Sequence, residues 1–399
     1  MQKQHTVLCI QDLSCVGRCS LAVVLPALAA MGVQPCALPT ALLSTHTGGL
    51  GRPARTDESG FISAALAHYA QLGLAFDCVY SGYLAGAAQV ALVEQAFRQA
   101  PAALKLVDPV MADHGRPYAS MTPEIRAAVA QLCGQADVIV AGGVESMSQV
   151  KKMAYPEEYW ESYLAEHYPE AYMGPGLTAE NVAERWKVSR ADMDAMAVES
   201  HRRADQAQQA GLFDEEIIPV YANTDDGDRM LVTRDEGVRP GTNAEKLAQL
   251  KPCFVENGSV TAATSSQMSD GAAFVVLMSR QKAEALGVKP LARLVGFAVG
   301  GCPAEVMGIG PIYAVPKVLE RTGLALEDME VIELNEAFAS QALVCIRELG
   351  MDPERVNPNG GALALGHPLG ATGAALTCKV LSQLRRNGGR YGMVTMCIG

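Results

Sequence analysis

Short apolar runs alternate with longer stretches in which apolar residues recur every three or four positions, and this alternation holds through the first third of the chain. Val7-Leu8-Cys9-Ile10 reads as a strand, residues 20–31 as a helix, 40–44 as a strand and 60–71 as a second helix. Cys78-Val79-Tyr80 and Leu104-Lys105-Leu106-Val107 read as further strands. Strands separated by helices imply parallel pairing through crossovers, so the pattern predicts a doubly wound α/β sheet. Ligands of such sheets sit beyond the carboxyl ends of the strands. In this reading Asp12-Leu13-Ser14, Ser44-Thr45-His46-Thr47-Gly48-Gly49, Ser81-Gly82-Tyr83 and Asp108-Pro109-Val110-Met111 all fall there. The next apolar run, Ala136-Asp137-Val138-Ile139-Val140-Ala141, is stopped by Gly142-Gly143, the pattern of a buried strand leading into a turn.

Past those glycines the pattern changes to a polar, helical one. Thr178 and Ser189 read as helix N-caps, Ser189 with Asp192 three residues on, and the alanine-rich helix that follows ends at Gly211. Further on, residues 330–334 form a strand pattern, 371–385 a helix after a glycine-rich loop, and 391–396 a final strand. Charge changes at the same place: residues 1–140 carry a net −1 and residues 141–399 a net −10. A junction between separate units at Val140-Ala141 follows as the expectation.

Composition sets the outer limits. A chain of 399 residues, 49% hydrophobic, has room for two or three domains with cores of their own, and a net charge of −11 argues against a nucleic-acid partner. Residues 21–33, the most apolar stretch, are too short to span a bilayer and contain Pro26, and Met1-Gln2-Lys3-Gln4-His5 has no leader pattern. No membrane partner and a cytoplasmic location are expected. The 11 cysteines include no metal-type pair, so reduced, mostly buried thiols and no metal site are expected.

The four loop segments at the strand ends, in that order and spacing, resemble the N-terminal half of the pyridoxal/pyridoxamine kinases of the ribokinase-like superfamily, across residues 4–140. The resemblance implies that Ser14 and Thr47 line a pyridoxal pocket and that Asp108 lies near magnesium and phosphates, with Mg-ATP a ligand only if this half were functional. Ordinary loop polarity accounts for Ser14 and Thr47 equally well. The family's phosphate-binding glycine loop and its catalytic aspartate have no counterpart. The nearest segment, Thr224-Asp225-Asp226-Gly227-Asp228, reads as a surface turn.

From Gly142-Gly143-Val144-Glu145-Ser146-Met147-Ser148 onward the chain resembles thiolase, most strongly the degradative 3-ketoacyl-CoA thiolases (acetyl-CoA acyltransferases) of fatty-acid β-oxidation. Three motifs carry this: Asn335-Glu336-Ala337-Phe338, then Asn359-Gly360-Gly361 through Gly366-His367-Pro368-Leu369-Gly370, then Met396-Cys397-Ile398-Gly399. Thiolysis needs an acyl-accepting cysteine, a base for its proton, an oxyanion site and a second acid/base. The resemblance implies His367 as base, Cys397 as acid/base, Asn335 as the holder of an oxyanion-site water, and the Gly399 N–H in a second oxyanion site. Ser266, in Val260-Thr261-Ala262-Ala263-Thr264-Ser265-Ser266, matches a coenzyme A contact and could equally be a helix cap. Met173-Gly174 matches a pantetheine-side motif, with Pro175-Gly176 as an insertion. A helix start after His367 favours its neutral, basic form, and a strand end suits Cys397 to a lowered thiol pKa. Taken singly, a loop histidine and a core cysteine explain these two residues as well; the three motifs together favour the site.

The expected fold class is therefore α/β: a partial ribokinase-like doubly wound sheet (1–140), then a thiolase-like loop domain (141–274) and a thiolase C-terminal core domain (275–399) truncated at its last strand. The acyl-accepting cysteine of the family lies in a Cys-x-Ser-Gly-type turn of an N-terminal core domain that this reading finds missing, and Cys78-Val79-Tyr80-Ser81-Gly82 has the wrong spacing for it. The expected function is an acyltransferase of impaired turnover, with coenzyme A as substrate, no cofactor and a homo-oligomer by resemblance. A pyridoxal kinase-like phosphotransferase fragment and a non-catalytic fusion or assembly artefact are the alternatives.

Overall fold

Where apolar runs are short and β-branched, strands form, and in a computed structural model they assemble as the alternation requires. The structure describes residues 4–17, 19–45, 53–110, 112–113, 116–117, 121–150, 162–223 and 227–398. The chain divides into two units, residues 1–141 with 275–290, and residues 142–274 with 291–399.

In the first unit, β1 (Thr6–Val16), β2 (Gln34–Thr45), β3 (Arg55–Asp57), β4 (Cys78–Ser81), β5 (Leu104–Val107), β6 (Val138–Ser146) and β7 (Asp270–Met278) form a seven-stranded sheet. Its order is β3-β2-β1-β4-β5-β6-β7, and β6 and β7 each run past the unit's boundary. The pairs β1–β2, β1–β4, β4–β5 and β5–β6 are parallel, whereas β2–β3 is antiparallel, so the sheet is mixed. Leu8, Ile10, Leu38, Val79 and Val107 pack from one face against helices Ser59–Gln71, Ala87–Gln99 and Pro123–Cys133 through Ile62, Leu66, Val93, Phe97 and Leu132.

The second unit holds two apolar clusters. One joins helices Pro175–Arg185, Arg190–Gln209 and Ala339–Leu349 through Val182, Met193, Ala197, Ala339 and Val344. The other forms around a parallel pair, β8 (Val331–Leu334) and β9 (Gly392–Thr395), with Ile332, Leu334, Cys345 and Met393. Ser189 caps its helix as expected, its side chain accepting from the Asp192 N–H at 3.1 Å. Thr178 does not: it lies inside helix Pro175–Arg185, which starts on Pro175, and its hydroxyl donates back to the Pro175 carbonyl at 2.7 Å. Proline at a first helical position needs no N–H partner and has its φ preset, which makes Pro175 the start signal.

Gly142-Gly143 corrects the reading of the junction. The two glycines are interior to β6, not a turn, and the strand continues to Ser146. A Cβ at Gly142 would collide with the Ala273 carbonyl and one at Gly143 with the Gly370 carbonyl. Glycine here permits close backbone approach rather than a change of direction. Gly143→Ala is expected to lower stability by about 1–3 kcal/mol through forced overpacking. A denaturant midpoint equal to that of the parent protein would contradict the close approach.

Candidate active site

Two strands place the site. Every residue of β8 is buried, and β8 pairs with β9 in the register Leu334↔Thr395, extended by the Asn335 N–H donating to the Thr395 carbonyl at 3.0 Å. Asn335 and Cys397 therefore both follow the carboxyl ends of adjacent parallel strands, the edge at which α/β sheets present their ligands. The Asn335 carbonyl accepts from the Gln341 side chain at 3.1 Å, so the residue is held at both ends of its peptide unit.

The third residue comes from the glycine-rich loop. Gly366, at φ +90°, turns the chain immediately before His367, a conformation L side chains rarely adopt. His367 is buried, with Nε2 at 3.2 Å from the Asn335 amide nitrogen and Nδ1 at 2.7 Å from the Thr372 hydroxyl. Asn335 Oδ1 is buried without a protein hydrogen-bond partner, an acceptor that suits a donor brought by substrate or solvent. Burial pushes the His367 pKa down, which keeps the imidazole neutral and basic. Burial pushes the Cys397 thiol up, opposite to the lowered value expected at a strand end; backbone hydrogen bonds from its own and the next residue offset this only in part. At neutral pH Cys397 holds its proton.

A buried polar frame supports the loop. Glu336 is fully buried and accepts from the Ser200 hydroxyl at 2.6 Å, the Asn357 amide at 2.8 Å and the Leu363 N–H at 3.3 Å. Burial pushes its carboxyl up, while these donors stabilise the charged form. Asn357 also bridges β8, accepting from the Leu334 N–H at 2.9 Å and donating to the Leu334 carbonyl at 2.8 Å. Lys379 donates to the Gly360 carbonyl at 2.6 Å and pairs with buried Glu333 at 3.0 Å.

The remaining expected residues fall in several places. The Ser266 N–H donates to the Ala337 carbonyl at 2.9 Å, which sets it beside the Asn335 motif; the 3₁₀ turn Ala262–Thr264 ends before it, so it caps no helix. Met173 Sδ lies 3.3 Å from the Asn181 amide, and the supposed insertion Pro175-Gly176 is the first turn of helix Pro175–Arg185. Gly399 and Thr47 lie outside the described residues. In the first unit Ser14 is buried and donates to Asp12 at 3.3 Å, and Asp108, whose carboxyl burial pushes up, is 3.4 Å from the Tyr80 hydroxyl. Thr372, Ser200, Asn357 and Lys379 were given no role by sequence reasoning. Only Thr372 carried a usable signal, a hydroxyl five residues after the histidine at a helix start. Among the described residues, no group of three or more His, Cys, Asp or Glu could hold a metal ion.

Comparison with known proteins decides the family. The model of the thiolase N-terminal domain matches residues 77–281, and that of the thiolase C-terminal domain matches residues 288–399. This chain belongs to the thiolase family. The 3-ketoacyl-CoA thiolase of Bacillus subtilis is 51% identical over 276 residues, 67% of this chain and 70% of that protein. Among solved structures, the dimeric peroxisomal thiolase of Saccharomyces cerevisiae matches with a TM-score of 0.65 and 36% identity, over 86% of each chain. The acetyl-CoA acetyltransferase of Bacillus anthracis matches with a TM-score of 0.61 and 29% identity, over 99% of this chain and 84% of that one. The chain spans 62 to 72% of the length of the curated relatives it matches.

These matches overturn the composite reading. The N-terminal thiolase model runs across Val140-Ala141 without a break, so the junction does not separate two families and the N-terminal domain is not missing from the match. The kinase-like half, and with it the pyridoxal and Mg-ATP roles of Ser14, Thr47 and Asp108, is withdrawn. Its basis was physically weak: polar loops follow parallel strands in any doubly wound sheet, whatever the family, and Asp12-Leu13-Ser14 and Ser44-Thr45 lie inside β1 and β2 rather than beyond their ends. The fold is the α/β thiolase fold with a mixed sheet. A thiolase needs no cofactor, because coenzyme A is its substrate.

Proposed function

We propose that this thiolase cleaves 3-ketoacyl-CoA with coenzyme A, or runs the reverse condensation, through His367, Cys397 and Asn335. The observation that carries the reading is the Asn335–His367–Thr372 chain of contacts at the strand edge that Cys397 follows. His367, neutral and buried, serves as base for a thiol proton. Cys397 exchanges a proton with the α-carbon of acetyl-CoA, and Asn335 and the Gly399 N–H stabilise the oxyanions. Ser266 and Met173 face coenzyme A in this reading. A cavity of about 190 Å³ lined by His201, Arg202, Asp205 and Arg239 supports placing the anionic nucleotide end beside residues 198–205 and 239–242. The names of the relatives, 3-ketoacyl-CoA thiolase and acetyl-CoA acetyltransferase, support the substrate class, and the dimeric yeast structure supports a homodimer.

The test is thiolysis of acetoacetyl-CoA by purified protein. His367→Ala is expected to lower kcat by about 10²–10⁴-fold, the usual range for losing a general acid/base. A His367→Ala protein that turns over as fast as the parent would refute the role given to His367.

A further inference from the structure

Thr372 makes the shortest side-chain hydrogen bond of His367. Its oxygen lies 2.7 Å from His367 Nδ1 and 2.9 Å from the Pro368 carbonyl. It is the first residue of helix Thr372–Asn387, is buried, and its N–H also points at the Pro368 carbonyl, at 2.9 Å. A threonine hydroxyl has one proton. If that proton goes to the carbonyl four residues back, the usual partner for a helical threonine, only its lone pairs remain for the imidazole.

We infer that Thr372 is a positioning residue that holds the His367 proton on Nδ1, leaving the Nε2 lone pair directed at the reaction site. The rest of the chain of contacts agrees in direction. The Asn335 amide NH₂ group faces Nε2 at 3.2 Å, which is a hydrogen bond only if Nε2 is unprotonated. Asn335 donates to Nε2, Nδ1–H donates to Thr372, and Thr372 donates to Pro368. The reversed chain, with Thr372 donating to Nδ1 and Nε2–H turned toward an inverted Asn335 amide, would make the histidine a resting donor instead of a base. The Pro368 carbonyl also accepts the Ala371 N–H at 2.8 Å, and the proton position on His367 distinguishes the two directions.

This inference rests on the reading of His367 as the base, but it can be tested without substrate. The protein has 7 histidines, so ¹⁵N-labelled imidazoles can be resolved by long-range ¹H–¹⁵N correlation and His367 assigned by its loss in His367→Ala. At neutral pH the parent protein and Thr372→Ser are expected to show a protonated Nδ1 and a bare Nε2. Thr372→Val, which removes the acceptor, is expected to shift His367 to the Nε2–H form or a mixture. A protonated Nε2 in the parent protein or in Thr372→Ser overturns the inference, even if Thr372→Val does not fold. So does an unchanged pattern in folded Thr372→Val. If the pattern changes as expected while thiolysis of acetoacetyl-CoA is the same in His367→Ala as in the parent, Thr372 keeps its role and the base reading of His367 fails alone.

Discussion

Lys379→Met is expected to destabilise the protein by about 3–5 kcal/mol, because it leaves a buried carboxylate without its counter-charge. Glu333 is fully buried on β8, and its neighbours are Lys379 Nζ at 3.0 Å and the Gln383 amide at 2.5 Å. Burial pushes the Glu333 carboxyl up, and Lys379 is the largest influence holding it down. Lys379 also donates to the Gly360 carbonyl at 2.6 Å, so the same substitution frees the loop that leads to His367. Denaturant unfolding measures the loss. Pairing the substitution with Glu333→Gln should recover most of it, since replacing both members of a buried pair is often close to neutral. A Lys379→Met protein with the parent's midpoint would show that the pair is not buried as described.

Cys397→Ala should lower the rate of proton exchange at the acetyl-CoA methyl group by about 10²–10⁴-fold, the usual range for losing a general acid/base. The pH dependence follows from the direction of the thiol's shift. Burial raises Cys397 above its ordinary 9.0, so the basic thiolate is scarce at neutral pH and grows about tenfold per pH unit until the raised pKa is reached. Exchange should therefore climb with pH and show no plateau up to pH 9.0. A plateau near neutrality would mean that the thiol is lowered rather than raised, or that another group takes the proton.

How far the sequence reached depended on whether a residue's work was local. Asn335, His367 and Cys397 stand in motifs whose residue types match the chemistry, and the structure puts all three in one unit, with Asn335 against His367 and Cys397 after the paired strand. Strand Leu104–Val107 matched its apolar run residue for residue, and Cys78–Ser81 came within one, whereas β1 runs on to Val16, β2 reaches back to Gln34 and β6 continues to Ser146. Gly142-Gly143 was misread because glycine marks both turns and close approach, and only the facing carbonyls of Ala273 and Gly370 distinguish them. Thr178 was misread as a cap because its hydroxyl suits one, while the true start signal was Pro175. Thr372, Ser200 and Lys379 act through partners at long range or across a turn, and no local pattern encodes a partner 136 residues away such as Glu336 for Ser200. The kinase-like reading failed for a related reason: it weighed loops that any parallel sheet supplies and missed a match that crosses the junction.

The most direct measurement is one incubation of purified protein with acetyl-CoA in D₂O, followed by mass spectra of the thioester and, after return to H₂O, of the protein. Deuterium in the acetyl methyl group, lost in Cys397→Ala, is the expected result. Absence of deuterium would contradict a working acid/base centre at Cys397, His367 and Asn335. An acetyl group mapped to a cysteine would identify the thiol that accepts it.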